Sequence, residues 1–230
     1  MRRIILWDID HTLIENNGVS KEIYSGAFTA LTGDSARHRA RTEGRTDRLI
    51  MRDLFLDHQL EPPSWELIAS ALAESGAARL ERLREHGTAL PGAREALRTF
   101  ARRSDVVQSV LTGNIRPNAW VKLTAFHLDH FVDLKVGAYG ADAEDRTDLV
   151  AIARRRIANA YPDVPLDTSI VLIGDTPRDV EAAHNGGAHI IAVATGVHDS
   201  QTLAQAGAPV VLPNLCDSNL LLETLEQMAV

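Results

Sequence analysis

Asp8 and Asp10 stand one residue apart, directly after the apolar run Ile4-Ile5-Leu6-Trp7. A run of that length reads as a buried strand. Alternate side chains of a strand share a face, so both carboxylates can point into one site. Two like charges that close repel, and at least one must hold a proton or meet a cation. The chemistry on offer is therefore proton exchange or cation binding, with the Thr12 hydroxyl beside it. A strand running into an Asp-rich polar turn has the same appearance, so the other strand ends have to decide.

Two of them carry matching groups. After the expected strand at residues 106–111 comes Thr112-Gly113-Asn114, where a hydroxyl followed by glycine lets backbone N–H groups approach an anion. After the apolar residues 170–173 comes Gly174-Asp175-Thr176-Pro177-Arg178-Asp179, a further pair of carboxylates at a strand–loop–helix junction. Asp8, Asp10, Asp175 and Asp179 together would be untenable unpaired in one crevice. A hard divalent cation with oxygen ligands resolves the repulsion, and Mg²⁺ suits one or two carboxylates, waters and a substrate phosphate. For the basic element the choice is narrow, because the only lysines are Lys21, Lys122 and Lys135. Lys135 lies inside a strand candidate, and Arg146, just ahead of a helix expected from about residue 148, is better placed to reach a phosphate.

The elements that must position these groups alternate. Strands are expected at residues 4–7, 106–111, 131–136, 170–173, 190–193 and 210–212, with helices at 93–102, 117–126, 148–160, 179–184, 200–205 and 219–228. Val-, Ile- and Leu-rich strands separated by helices imply a doubly wound, mostly parallel α/β sheet covered on both faces. Ligands bind such sheets at the C-terminal strand ends, where the strand order reverses. Residues 15–87 hold no convincing strand. Ser20, Thr46 and Ser64 are candidate caps of helices there, the first through about Leu31 and the last through about Glu85. This all-helical insertion divides the chain into a core, residues 1–14 and 88–230, and a cap, residues 15–87, hinged near Glu15 and Thr88–Pro91 and able to close over Asp8 and Asp10.

Composition sets outer limits. At 230 residues with 45% hydrophobic and 24% charged residues, the chain is ordinary for a globular protein with a sizeable core. A formal net charge of −7 argues against general nucleic-acid or anionic-membrane binding. Cys216 is the single cysteine, so no intrachain disulfide forms, as expected in a reducing compartment. No apolar run approaches the roughly 20 residues of a membrane span, and the run after Met1-Arg2-Arg3 is too short for a signal sequence. A soluble cytoplasmic protein is expected. Trp120 and the aliphatic stripes are assigned to the core.

Taken together, the motifs resemble the haloacid dehalogenase-like hydrolase superfamily, in the helical-cap group that includes phosphoglycolate phosphatases. Asp8-Ile9-Asp10-His11-Thr12-Leu13 is similar to its DxDxT nucleophile motif, Leu111-Thr112-Gly113-Asn114 to its second motif, and Gly174–Asp179 to its acidic fourth motif. The family's third motif is usually a lysine; here none stands just ahead of the penultimate core helix, and Arg146 is assigned to it with Lys135 as the fallback.

The resemblance implies roles. Asp8 is the nucleophile toward phosphorus, and Asp10 protonates the leaving alkoxide and then activates water. Asp10 therefore needs a proton on substrate arrival, which crowding of negative charge would favour. Mg²⁺ is held by the Asp8 carboxylate, the Asp10 backbone carbonyl and Asp175, with Asp179 nearby. Thr112 and the amides of Gly113 and Asn114 hold phosphate oxygens, Arg146 adds positive charge, and Thr12 orients the nucleophile loop. Arg45, Thr46 and Asp47, at a helix start in the cap, are candidates for substrate choice. An acid two residues after the nucleophile points to phosphate esters rather than carbon–halogen bonds, which need no protonated leaving group. The expected protein is a Mg²⁺-dependent phosphatase of a small phosphorylated metabolite. A phosphosugar mutase similar to β-phosphoglucomutase shares the motifs. A receiver-like phosphoryl acceptor lacks such a cap, and no Walker A motif supports a nucleotide-binding domain.

Overall fold

The computed structural model describes residues 2–228; Met1, in the basic start considered above, lies outside them. Six parallel strands form one sheet in the order β5-β4-β1-β6-β7-β8. They are β1 (Arg3–Trp7), β4 (Val106–Thr112), β5 (Ala138–Tyr139), β6 (Ile170–Gly174), β7 (His189–Val193) and β8 (Val211–Leu212). β1 is central and pairs with both β4 and β6, Ile4 standing opposite Val107 and Ile170. Its apolar run is continuous because both faces are covered. Ile4 and Leu6 face one layer, with α7 (Arg146–Ala160), α8 (Pro177–Gly186) and α9 (Ser200–Gln205). Ile5 and Trp7 face the other, with α5 (Ala93–Ala101), α6 (Arg116–Ala125) and α10 (Ser218–Gln227). The chain leaves β1 for β4 and β5, then crosses back to β6. The crevice at the C-terminal ends of β1, β4 and β6 is thus the switch point of the fold.

Residues 16–87 contain α1 (Val19–Thr32), α2 (Asp47–Asp57), α3 (Trp65–Ala77) and α4 (Leu80–His86), and no strand. Their apolar faces make a separate cluster around Phe28, Met51, Leu54 and Leu72. The segment leaves and re-enters through a two-stranded antiparallel ribbon, β2 (Ile14–Glu15) with β3 (Thr88–Ala89), so the two expected hinges are one paired element. Among the described residues no helix is long and apolar enough to cross a membrane.

Local departures from expectation have local causes. Residues 131–136 are not a strand; a 3-10 turn, Asp129–Phe131, leads into coil. One main-chain bond joins it to β4, from the Asp133 N–H to the Gln108 carbonyl (2.9 Å), and polar side chains of β4 take its carbonyls: Gln108 donates to that of Phe131 (3.2 Å) and Ser109 to that of Asp133 (2.6 Å). The expected single helix to Glu85 breaks at residues 78–79, just after Gly76 approaches α6 so closely that a Cβ would meet Asn118. Ser20 does not cap α1. Gly18 (φ 87°) is the cap, and Asn16 Oδ1 accepts from the amides of Gly18 and Ser20 at 3.0 and 3.3 Å. Trp120, expected in the core, is 52% exposed on α6.

Candidate active site

Asp8 extends β1 by one hydrogen bond, its N–H donating to the Ile173 carbonyl at 2.9 Å. The next residues curl into a tight turn in which Leu13 and Ile14 donate to the Ile9 carbonyl at 2.9 and 3.0 Å. His11 adopts φ 60° within it, a left-handed conformation uncommon for a residue with a side chain. The turn aims Asp8 and Asp10 in different directions.

On one side, carboxylate oxygens of Asp8, Asp175 and Asp179 lie within 4.8 Å of one another, all three residues buried. Arg146, the first residue of α7, reaches in from below, 3.1 Å from Asp8 Oδ1 and 2.6 Å from Asp179 Oδ1. Asp179 is also the N3 residue of the capping box of α8: its Oδ2 accepts from the Thr176 N–H (3.0 Å) and hydroxyl (2.7 Å). Thr12 donates to Asp175 Oδ1 at 3.0 Å. One guanidinium thus faces three carboxylates. Burial, only partly offset by Arg146 and reinforced by Asp179 and Asp10, raises Asp8 to about 6. Burial and the charges of Asp179 and Asp8 raise Asp175 well above the usual carboxylate range. Buried, oxygen-only and short of positive charge, this donor set fits a hard divalent cation.

Asp10 lies outside that cluster, and here the expectation of four converging carboxylates is corrected. The Lys122 ammonium sits 2.9 and 2.6 Å from its two oxygens and donates to Asn114 Oδ1 at 2.6 Å. Asn114 Nδ2 donates to Asp10 Oδ2 (2.8 Å), and Asn16 and Ser20 donate to Oδ1 at 2.9 and 3.3 Å. Burial pulls the Asp10 carboxyl upward, but Lys122 and Asn114 outweigh it and hold it at about 2. Asp10 is therefore a carboxylate here, not the protonated acid that crowding would favour. Lys122 was missed from sequence. Its one signal was position, since it stands between Val121 and Leu123 on a helix whose neighbouring side chains are buried.

Between the two sides lies the Thr112–Asn114 loop at the end of β4. The Asn114 N–H already points at Thr112 Oγ1 (3.3 Å), so its amide is engaged by the hydroxyl expected to share its ligand. Lys135 is exposed on the segment after the 3-10 turn, and is no part of the site. Arg146 occupies the basic position.

The residues of the helical segment separate by task. Arg45 lines the cavity above Asp8, bounded also by Asn16, Ser20, Tyr24, Thr42 and His198, and its guanidinium is paired with Asp53. Thr46 and Asp47 do not line it. Thr46 caps α2 by accepting from the Leu49 N–H (3.4 Å) and donates to the Glu144 carbonyl at 2.9 Å. Asp47 is a clamp: its N–H donates to the Gly113 carbonyl (2.7 Å), and its carboxylate accepts from Ile115 N–H and Tyr24 O–H, both at 2.7 Å. Gly113 has to be glycine for this contact, because a Cβ there would run into the Arg45 carbonyl. With the helical segment so placed, the pocket above Asp8 stays partly open to solvent.

The sequence profile of the haloacid dehalogenase-like hydrolases matches residues 5–184. Among solved structures, a hydrolase from Pseudomonas syringae is similar over 100% of both chains, at 23% identity and a TM-score of 0.68. A predicted phosphatase from Clostridium acetobutylicum is similar over 97% of this chain and 99% of its own, at 15% identity and a TM-score of 0.65. A candidate β-phosphoglucomutase from Thermotoga maritima is similar over 96% and 99%, at 21% identity and a TM-score of 0.59. At such identities the likeness is one of fold. No curated protein sequence matches the chain.

Proposed function

The chain belongs to the haloacid dehalogenase-like hydrolases, and we propose that within that family it is a Mg²⁺-dependent phosphatase of a small phosphorylated metabolite, of phosphoglycolate or sugar-phosphate kind, acting in the cytoplasm. In this reading residues 15–87 are a cap domain on a core of residues 1–14 and 88–230. The observation that carries it is the division of labour between Asp8 and Asp10: one stands in a cluster short of positive charge, the other is a paired carboxylate on the same loop.

Asp8, Asp175 and Asp179 would hold the metal together with the Asp10 backbone carbonyl, and Mg²⁺ would lower the repulsion between Asp8 and an arriving phosphate. The Asp8 carboxylate attacks phosphorus and forms an aspartyl-phosphate as the ester oxygen departs. Arg146 and the Thr112–Asn114 loop hold phosphate oxygens while charge redistributes among them. A proton that arrives with the phosphate monoanion passes to Asp10, which gives it to the departing alkoxide and, again as carboxylate, takes one from the water that hydrolyses the intermediate. Because Asp10 is a carboxylate before substrate binds, the phosphate's own negative charge has to raise its proton affinity. Thr12 steadies Asp175, and Arg45 faces the leaving group.

The mutase alternative uses the same residues and differs in that its site must also present a second sugar hydroxyl to the phosphoryl group. The test is release of phosphate from p-nitrophenyl phosphate. Asp8→Asn should lose at least ~10³-fold in kcat with an unchanged circular dichroism spectrum. Turnover by that variant at the wild-type rate defeats the mechanism. A panel of phosphorylated metabolites, assayed for free phosphate and for isomerised product, then identifies the substrate and separates phosphatase from mutase.

A further inference from the structure

Lys122 has no place in the mechanism above, yet it is 1% exposed and is among the largest fully buried side chains. An ammonium taken out of water is costly, and replacing a buried ion pair by apolar groups is often neutral or stabilising. A fold needing only to fill this space on α6 would be served by leucine. The charge is therefore to be explained by what it touches: both oxygens of Asp10, at 2.9 and 2.6 Å, and Asn114 Oδ1 at 2.6 Å. Asn114 closes the ring by donating to Asp10 Oδ2 and to Thr112 Oγ1, both at 2.8 Å. Lys122 does not line the cavity, whereas Asp10, Thr112 and Asn114 do.

We propose that Lys122 is a positioning residue for the leaving-group step: its ammonium fixes the Asp10 carboxyl, and through Asn114 ties it to the phosphate-holding loop. The inference rests on the reading of Asp10 as the acid toward the leaving oxygen. Lys122 touches neither phosphorus nor the leaving group. It sets where Asp10 stands relative to a phosphate held by Thr112 and its loop. A misplacement of Asp10 costs most when the departing oxygen needs a full proton, and least when it leaves readily as an anion.

The experiment compares substituted phenyl phosphates, from p-nitrophenyl to p-methoxyphenyl, which differ in leaving-group basicity and little in size. In Lys122→Met, kcat/KM should fall about 10-fold more for p-methoxyphenyl phosphate than for p-nitrophenyl phosphate. The same tilt is expected in Asp10→Asn. The double variant Asp10→Asn/Lys122→Met, which leaves no unpaired charge and so guards against misfolding of the single variant, should be no worse than Asp10→Asn within about 3-fold. A loss equal across the series in Lys122→Met, with the tilt present in Asp10→Asn, overturns the positioning role and leaves the acid reading standing. Multiplied losses in the double variant overturn it as well. Absence of the tilt in Asp10→Asn itself overturns the acid reading and the inference together.

Discussion

Two carboxylates on one turn, Asp8 and Asp10, end in opposite surroundings. Asp8 shares the Arg146 guanidinium with Asp179 and stands beside Asp175, and its carboxyl rises to about 6. Asp10 is paired with the Lys122 ammonium and accepts from three further donors, and falls to about 2. Burial pushes both upward, so burial does not distinguish them; the supply of positive charge does. One side is built to take its missing charge from outside. The other brings its own, delivered by a helix that also packs on the helical segment through Asn118, which donates to the Leu72 carbonyl at 3.1 Å. Neutrality in this crevice is arranged side by side rather than shared across it.

Removing the external charge is the harshest challenge to that comparison. Chelation with EDTA should cut phosphate release by more than ~10²-fold, and Mg²⁺ should restore it. Activity that survives exhaustive chelation would mean that Arg146 alone neutralises the Asp8 side. A finer form uses Thr12, which donates to Asp175 and not to Asp10. Thr12→Val should raise the Mg²⁺ concentration for half-maximal activity by about 10–100-fold, the usual cost of losing a partner behind a metal ligand. The rate at saturating Mg²⁺ should change far less. An unchanged Mg²⁺ requirement would take Asp175 out of the metal set.

Next in size is the clamp between the helical segment and the Thr112–Asn114 loop. Asp47→Ala leaves the Ile115 N–H and Tyr24 O–H without their acceptor, which should cost about 1–3 kcal/mol for each group left buried and unsatisfied. The loss is read as the shift in urea midpoint at constant slope. kcat/KM should fall about 10-fold or more as residues 113–115 loosen, while the Mg²⁺ requirement stays put, because Asp47 touches the loop and not the carboxylate cluster. A change in Mg²⁺ requirement would show that the two sides are coupled through the loop.

How much of this was legible in the sequence follows the range of the interactions. The runs at Ile4–Trp7 and Ile170–Ile173 are flanked on both faces, and their strand ends carried Asp8 and Asp175 to the right rim. Residues 131–136 carry four apolar residues around Asp133 and Lys135, and the Phe131 and Asp133 carbonyls meet the side chains of Gln108 and Ser109, distant in sequence, beside a main-chain bond from the Asp133 N–H to the Gln108 carbonyl. A short apolar run cannot announce that by itself. Lys122 was illegible for a related reason. A single lysine on an amphipathic helix ordinarily carries its charge to solvent, and nothing local says that Asp10, 112 positions away in sequence, will be its partner. At Thr46 and Asp47 a capping threonine and a clamp aspartate leave the same trace in sequence as a substrate-facing helix start, so the sequence alone does not separate the two.

The smallest expected effect tests the charge shortage without turnover. Asp8 and Asp47 are both raised to about 6, and Asp175 is raised too. A carboxyl that binds its proton more tightly folded than unfolded stabilises the fold fully below its unfolded pKa of about 4, and that stability is lost as pH rises through the folded value. Metal-free protein should therefore gain stability as pH falls from 7.5 to 5, by about 1.4 kcal/mol per pH unit for each proton taken up. Asp10 acts in the opposite sense. Its contribution is present above about 4 and is lost only as pH falls toward about 2, outside this window. Saturating Mg²⁺ should remove the share of Asp8 and Asp175, because a bound cation demands both as carboxylates. The share of Asp47, which sits in the clamp, should persist with metal and disappear in Asp47→Ala. Thermal melts of the two proteins at pH 5 and 7.5, with and without Mg²⁺, separate these terms. A melting temperature that falls on acidification without metal would mean that the Asp8 side is already neutral, and that the contrast with Asp10 is one of geometry alone.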